Sequence, residues 1–183
     1  MPYSTSLYHL RSKVITALNT GMRKGKILGL KWEDVDLKHG FILLKDTKNR
    51  ERREIPISGT AREVFQGLTR RLDVPYVFHD KNTGKYLNVK KSFKMALTKA
   101  KIADFRFHDL RHTFTSHLVM AGVDLTTIKE LLGHKTLTMT LRYAHLALSH
   151  KVKAVDMLDK TMDEAPTAQL LHNPKEKGLA SIS

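Results

Sequence analysis

Apolar residues recur every three or four positions along most of the chain, which is the spacing of one face of an α-helix. At the start, Leu7, Leu10 and Val14 follow this spacing and predict a helix over Ser6–Leu18. The same periodicity predicts further helices at Met22–Leu30, from a cap at Ser58 to about Leu72, and at Val89–Ala100, His108–Ala121, Leu125–Leu132, Thr136–Tyr143 and Ala147–Asp159.

Short apolar segments of the kind that form β-strands occur between the helices. Phe41–Leu44 and Arg53–Ile57 flank the polar segment Lys48-Asn49-Arg50, and this arrangement predicts a β-hairpin. Tyr76–Phe78 predicts a third strand. The pattern as a whole predicts an α+β fold, mainly α-helical, with a small sheet of three strands.

The charge of the chain points to a nucleic-acid partner. The 183 residues suffice for one domain with a core, and they include 32 Lys and Arg against 18 Asp and Glu, a net charge of +14 with histidine neutral. Such an excess is typical of proteins that bind the phosphate backbone of DNA or RNA. A basic solubilising surface and a face for anionic lipid are the alternatives.

Two absences narrow the classes of function. The chain has no cysteine, which excludes disulfides and thiolate metal sites. It also lacks an apolar run of the roughly 20 residues that a transmembrane helix requires, and Met1–Leu10 does not read as a secretory signal. We therefore expect a cytoplasmic protein.

Three segments carry side chains suited to the chemistry of a phosphate group. They are Thr20-Gly21-Met22-Arg23, His108-Asp109-Leu110-Arg111-His112, and Leu132-Gly133-His134 followed by Tyr143. Guanidinium groups hold phosphate oxygens in a bidentate fork, and a tyrosine hydroxyl can attack phosphorus once its proton is removed. A hairpin lysine such as Lys48 can protonate a leaving oxygen. Each residue alone also fits a structural role, but the set predicts phosphoryl transfer without a metal ion.

Together these segments resemble the signature of the tyrosine recombinases of the phage integrase type. That signature has a TG-R motif, an H-x-x-R motif and an L-x-H motif followed by a tyrosine. The flanking residues Leu30–Asp36 and Thr47-Lys48-Asn49 also look like the family's stretch after the first arginine and its hairpin lysine. The resemblance runs from about Ser6 to Asp159 and implies a helical catalytic domain with an antiparallel sheet on one side.

The resemblance implies a role for each matched residue. Arg23 and Arg111 would hold the non-bridging oxygens of the scissile phosphate, and His134 would contact the phosphate in the transition state. His108 would form a hydrogen bond to the phosphate and help to deprotonate the nucleophile. Lys48 would protonate the leaving 5′-hydroxyl, and Tyr143 would be the nucleophile. The product is a 3′-phosphotyrosine link, so that neither metal nor ATP is needed.

The resemblance also implies the partners. Double-stranded DNA would be bound with help from the hairpin cations Lys45, Arg50, Arg52 and Arg53. The protein would be a monomer when free and a tetramer on DNA, near the nucleoid. The helix Ala147–Asp159 resembles a segment that docks onto a neighbouring protomer, although its apolar stripe fits packing on its own core equally well.

The expected domain organisation is a catalytic domain at residues 1–163 and a flexible tail at residues 164–183. Family members usually carry a helical core-binding domain before the catalytic one, and here we expect that domain to be absent. A protein without it should bind DNA more weakly and less specifically.

One position departs from the family pattern. The family usually has an acidic residue three positions after the first arginine, and this chain has Lys26. The lysine either weakens catalysis by repelling Arg23, leaving a domain that only binds DNA, or turns away and contacts DNA.

Three other classes of function remain open. A metal-dependent hydrolase would use His108 and His112 as ligands, but it leaves the arginines unexplained. A DNA-binding regulator does not require Tyr143. A type IB topoisomerase shares the chemistry and is the nearest alternative.

Overall fold

The computed structural model describes residues 5–45, 52–80, 89–147 and 155–160. The described residues up to Leu146 form one compact unit, and those from Ala147 onward belong to a second. In the second unit, residues 155–160 are helical and overlap the end of the helix predicted over Ala147–Asp159. No helix in the described ranges is long and apolar enough to cross a bilayer.

The first unit is mainly helical. Its helices are α1 (Thr5–Thr20), α2 (Lys24–Leu28), α3 (Gly59–Gln66), α4 (Lys90–Lys99), α5 (Asp109–Met120), α6 (Leu125–Leu132) and α7 (Thr138–Leu141). A short 3₁₀ turn at Trp32–Asp34 lies between α2 and the sheet, and another at Ala144–Ala147 follows α7. Each of these helices lies within or close to a segment where periodicity predicts one, so the helical order is confirmed.

Helix ends depend on local capping. The Ser58 hydroxyl accepts a hydrogen bond from the Ala61 amide at 3.2 Å, so Ser58 is the N-cap of α3 as predicted. The helix stops at Gln66 instead of about Leu72, because Gly67 follows as its C-cap. Helix α2 is also shorter than predicted, because Arg23 keeps an extended backbone and the helix begins only after it.

The sheet has three antiparallel strands in the order β1 (Val35–Asp36), β2 (Phe41–Lys45) and β3 (Arg52–Pro56). Ile42 lies opposite Ile55 in the β2–β3 hairpin, and both side chains are buried. Burying an isoleucine contributes about 1.5–3 kcal/mol, so this pair holds the sheet against the helices.

The predicted third strand at Tyr76–Phe78 is wrong, and β1 takes its place. Tyr76 forms only an isolated bridge with Lys31. Pro75 has no amide hydrogen to donate to a ladder, and Val77 and Phe78 are both buried instead of alternating between two faces. The segment is therefore a loop anchored in the core.

The core joins the sheet to helices from both halves of the chain. It includes Ala17 of α1, Ile27 of α2, Phe65 of α3 and Leu110 of α5. Helix α1 packs against α3, α4 and α5, and α5 packs against α6. This packing brings the ends of α1, α5 and α6, which carry the three motifs, to one side of the unit.

Candidate active site

The first motif is a tight turn between α1 and α2. Gly21 has a φ of +59°, in the left-handed region that favours glycine. A Cβ at this position would lie 2.5 Å from the Phe114 ring of α5, so the turn also needs glycine for close packing. The turn leaves Arg23 at the start of α2 with an exposed side chain.

Arg111 of α5 connects the first motif to the third. Its Nη1 donates to the Gly21 carbonyl at 2.6 Å, and its Nη2 donates to the Leu132 carbonyl at 2.7 Å. The residue is only 5% exposed. Both described partners are neutral carbonyl groups, so the positive charge of Arg111 remains available to attract an anion.

Other cations lie close enough to Arg111 to affect its pKa. Burial, followed by the positive charges of Arg23 and Arg53, lowers the pKa of Arg111 to about 10. The guanidinium therefore still carries its charge at neutral pH. Tyr143 acts in the opposite direction on this pKa, so the phenol also lies within electrostatic range of Arg111.

His134 is positioned by the left-handed turn that ends α6. Gly133 has a φ of +63°, and a Cβ there would overlap the Arg53 guanidinium of β3. The imidazole Nδ1 of His134 lies 2.9 Å from the Thr140 hydroxyl. Partial burial, then the charges of Arg111, Arg23, Arg142 and Arg53, lower the pKa of His134 to about 4. His134 is therefore neutral at neutral pH.

Side chains from α2, β2, β3 and the α6–α7 turn enclose a cavity of about 130 Å³. Its lining is Arg23, Lys26, Leu44, Arg53, Gly133, His134 and Lys135. We call this cavity the basic pocket. None of these lining residues is acidic, so the potential inside it favours an anion. Lys26 lines the same pocket as Arg23 and does not turn away from it.

Tyr143 follows α7 and is only 8% exposed. Its hydroxyl is hydrogen-bonded to Nδ1 of His112 on α5. The two ring centroids are 5.8 Å apart. The phenol that the sequence predicts as the nucleophile therefore contacts α5, the helix that also positions His108 and Arg111.

His108 lies at the N-terminal end of α5 with an exposed side chain. Its ring meets the His112 ring edge-on, with centroids 5.0 Å apart. Partial burial, then the charges of His112 and Arg111, lower the pKa of His108. The described hydrogen bonds thus put His112, and not His108, against the Tyr143 hydroxyl. Sequence reasoning missed this contact, although His112 lies one helical turn after His108 and shares its face.

The remaining predicted residues fall into two groups. Arg53 lines the basic pocket, and Arg52 is exposed on β3. Lys48 and Arg50 lie outside the described residues, and for Lys45 only the backbone position at the end of β2 is described.

Within the described ranges, no group of three or more His, Cys, Asp or Glu could hold a metal ion, so His108 and His112 gain no third ligand.

Comparison with known proteins gives consistent matches. The chain matches the phage integrase family over residues 2–150. It is 36% identical over 141 residues to the shufflon-specific DNA recombinase of Escherichia coli, covering 76% of this chain and 35% of that protein. It is 31% identical over 183 residues to the integrase of Salmonella phage P22, covering 92% of this chain and 47% of that one. The chain thus spans half or less of the length of these relatives.

A solved structure matches over nearly its whole length. The catalytic domain of the bacteriophage HP1 integrase superposes with a TM-score of 0.64 and 28% identity. The match covers 93% of this chain and 97% of that domain. The mainly helical fold with a small three-stranded antiparallel sheet is therefore the fold of such a catalytic domain.

Proposed function

The chain belongs to the phage integrase family, and from that membership we propose that it is the catalytic domain of a site-specific DNA recombinase. It breaks and rejoins DNA strands through a 3′-phosphotyrosine intermediate and a Holliday junction, and it uses neither metal nor ATP. The chemistry of its own side chains supports each step.

The observation that carries the proposal is the double connection of Arg111. Its guanidinium bonds the loops of the first and third motifs, and it lies within electrostatic range of Arg23, Arg53 and Tyr143. One phosphodiester bound among these groups would meet cationic donors at its non-bridging oxygens and a phenol that can attack. These are the groups that phosphoryl transfer to a tyrosine requires.

The reaction conserves the energy of the phosphodiester. The Tyr143 oxygen bonds to phosphorus as the bond from phosphorus to the 5′-oxygen breaks. The phenolic proton passes to a base, and the 5′-oxygen takes a proton from Lys48. A 5′-hydroxyl of a partner duplex then attacks the phosphotyrosine and reverses the step, so no nucleotide cofactor is consumed.

Arg23 and Arg111 stabilise the charge that develops on the phosphate oxygens. His134 contributes as a neutral donor. When its Nδ1 accepts a hydrogen bond from the Thr140 hydroxyl, its Nε2 carries the hydrogen and can donate it to a phosphate oxygen. Because the pKa of His134 is about 4, this donor state persists across the neutral pH range.

The proposed partner is double-stranded DNA, bound by a monomer that assembles into a tetramer across two duplexes. The net charge of +14 and the basic pocket support this partner. We propose that Lys45, Arg50 and Arg52 supply further DNA contacts. We place the protein near the nucleoid and in the service of a mobile genetic element, by analogy with its integrase relatives.

The function is tested by covalent trapping. A pool of end-labelled, nicked duplexes of randomised sequence is incubated with the full chain and separated by denaturing electrophoresis. The parent and Tyr76→Phe should give a protein–DNA band, and Tyr143→Phe should give none. A band that survives Tyr143→Phe contradicts the proposal. With the sequence recovered from the band, strand exchange between two site-bearing DNAs distinguishes a recombinase from a type IB topoisomerase, which only relaxes supercoils.

The lysine in the basic pocket leads to a separate test. If Lys26 had reduced the protein to a DNA-binding domain, Lys26→Glu would cleave the recovered nicked duplex faster than the parent. We expect it to be no faster, because Lys26 adds a positive charge to the wall of the pocket that receives the phosphate.

A further inference from the structure

The hydrogen bond between Tyr143 and His112 indicates a role for His112, a residue to which the family motifs give none. We propose that His112 is the base that takes the proton directly from the Tyr143 hydroxyl during strand cleavage. This inference rests on the proposed function, in which the hydroxyl oxygen of Tyr143 attacks the phosphate.

Attack by a tyrosine oxygen on phosphorus needs a base that removes the proton of the hydroxyl. Tyr143 is 8% exposed, and bulk water therefore has little access to it. The hydroxyl is instead in hydrogen-bond contact with Nδ1 of His112, a half-buried imidazole on α5. Histidine is the side chain best suited to accept a proton near pH 7.

His108 is less well placed for this task. It occupies the exposed N-terminal end of α5, and its ring contacts His112 edge-on, with centroids 5.0 Å apart. Among the described residues, the Tyr143 hydroxyl is hydrogen-bonded to His112. His108 therefore fits a contact with the phosphate, while His112 contacts the nucleophile.

The charges around His112 favour loss of the phenolic proton. On its own helix it lies within electrostatic range of His108 and Asp109, and from the segment after α7 the Tyr143 hydroxyl contacts it. Asp109 is engaged by the backbone amide and guanidinium of Arg106. Arg111, within electrostatic range of Tyr143, stabilises a developing phenolate.

The proton count of the step is balanced. Before attack, His112 is the neutral tautomer with hydrogen on Nε2, and its Nδ1 accepts from the Tyr143 O–H. As the new bond between oxygen and phosphorus forms, the proton moves to Nδ1 and His112 becomes an imidazolium. The 5′-oxygen leaves with a proton from the general acid. On rejoining, Nδ1 returns its proton to the departing phenol.

A conservative substitution separates a base from a positioning group. Asparagine in His112→Asn keeps an acceptor close to the place of Nδ1 but cannot take a proton near neutral pH. The matched control is His117→Asn, an exposed histidine near the end of the same helix. The readout is the single-turnover rate of covalent adduct formation at saturating DNA, from pH 5 to pH 9, with folding of each variant checked by thermal melting.

Two substrates distinguish the loss of a general base from the loss of a general acid. One is the nicked duplex recovered by trapping, and the other carries sulfur in place of the scissile bridging 5′-oxygen, which leaves without needing a proton. We expect His112→Asn to be slowed about 100-fold or more on both substrates and to lose the rise of rate with pH. Lys48→Ala should be slowed on the first substrate and restored on the second.

Three results would overturn the assignment. They are a folded His112→Asn within about threefold of His117→Asn, rescue of His112→Asn by the sulfur substrate, and full activity in His112→Asn beside a slow His112→Ala, which would make His112 a positioning residue. Failure of the proposed function is a different outcome, in which the parent forms no Tyr143-dependent adduct at all.

Discussion

At the scale of single residues, Arg111 has a structural role and, in the function that we propose, a chemical one. It bonds two carbonyl groups that belong to loops far apart in the sequence, and it lies within electrostatic range of Arg23 and Arg53, which line the basic pocket. Arginine suits both tasks because its planar fork reaches two acceptors at once and stays charged when buried. A lysine at this position could satisfy only one of the two carbonyls in the same geometry.

Arg111→Lys should therefore lower both stability and activity. Hydrogen bonds to charged groups contribute about 1.5–3 kcal/mol, so loss of one should lower the free energy of unfolding by about that amount. Urea denaturation measures this loss, with Arg11→Lys at an exposed position of α1 as control. An unfolding free energy equal to that of the parent would contradict the bridging role.

The depressed pKa of His134 predicts a pH dependence of stability. In the unfolded chain a histidine titrates near pH 6.5, and in the fold His134 titrates near pH 4. As the pH falls through this window, the unfolded state binds a proton before the folded state does, so stability is lost. The loss is on the order of 1 kcal/mol after allowance for solvent screening at a partly exposed site.

This dependence can be assigned to one residue by comparison. Urea denaturation of the parent and of His134→Gln should be measured at pH 7 and at pH 4.5. The parent should lose more stability between the two pH values than the variant. Equal losses would show that another group dominates the acid sensitivity.

At the scale of elements, the site depends on how helices end. Helix α6 stops at Gly133, and the left-handed turn there leaves room for Arg53 from β3 and directs His134 toward Thr140. A sheet residue and a helix-end residue thereby share one pocket wall. The geometry of the turn determines whether the β2–β3 hairpin can approach the α6–α7 segment.

Gly133→Ala should disturb both the turn and the pocket. The positive φ and the overlap with Arg53 should together cost more than about 1 kcal/mol of stability, and displacement of Arg53 should slow adduct formation. Gly25→Ala is the matched control, because a Cβ there meets nothing within 4 Å and the residue is helical. A Gly133→Ala protein that is as stable and active as Gly25→Ala would refute this role of the turn.

Elements with strong local signals could be predicted from the sequence. The limits of α6 agree with its periodicity, the Ser58 cap is present, and the β2–β3 hairpin forms. The Tyr76–Phe78 segment could not be predicted correctly, because a short apolar run looks the same whether it pairs in a sheet or anchors a loop. Its role is decided by Pro75 and by the core around it.

The candidate site was predictable only as a set of motifs. Arg23, Arg111, His134 and Tyr143 could be named because their spacing follows a known signature. The contact between His112 and Tyr143, and the overlap of Arg53 with the Gly133 turn, depend on tertiary packing of segments that are distant in sequence. No local pattern reports such distances.

At the scale of the whole molecule, the excess of positive charge should govern DNA affinity. Four cationic side chains line the basic pocket, namely Arg23, Lys26, Arg53 and Lys135. Each phosphate neutralised on duplex DNA contributes about −0.9 to the slope of log K against log salt. A phosphate bound in the pocket is one part of a larger electrostatic footprint.

The binding constant of the chain for duplex DNA should therefore fall steeply with salt. Arg53→Ala should weaken binding similarly for all sequences and make the slope shallower by about one. Fluorescence anisotropy over a series of salt concentrations measures both effects, with the exposed Lys94→Ala of α4 for comparison. An unchanged slope in Arg53→Ala would show that this residue does not contact a phosphate.

In the function that we propose, folding brings Tyr143 and the arginines to one phosphodiester, and this is tested most directly by identifying the residue that carries the DNA. The covalent adduct formed on the nicked duplex is digested with protease and nuclease, and the modified peptide is sequenced by mass spectrometry. We predict a 3′-nucleotide on Tyr143. A nucleotide on any other residue would contradict it.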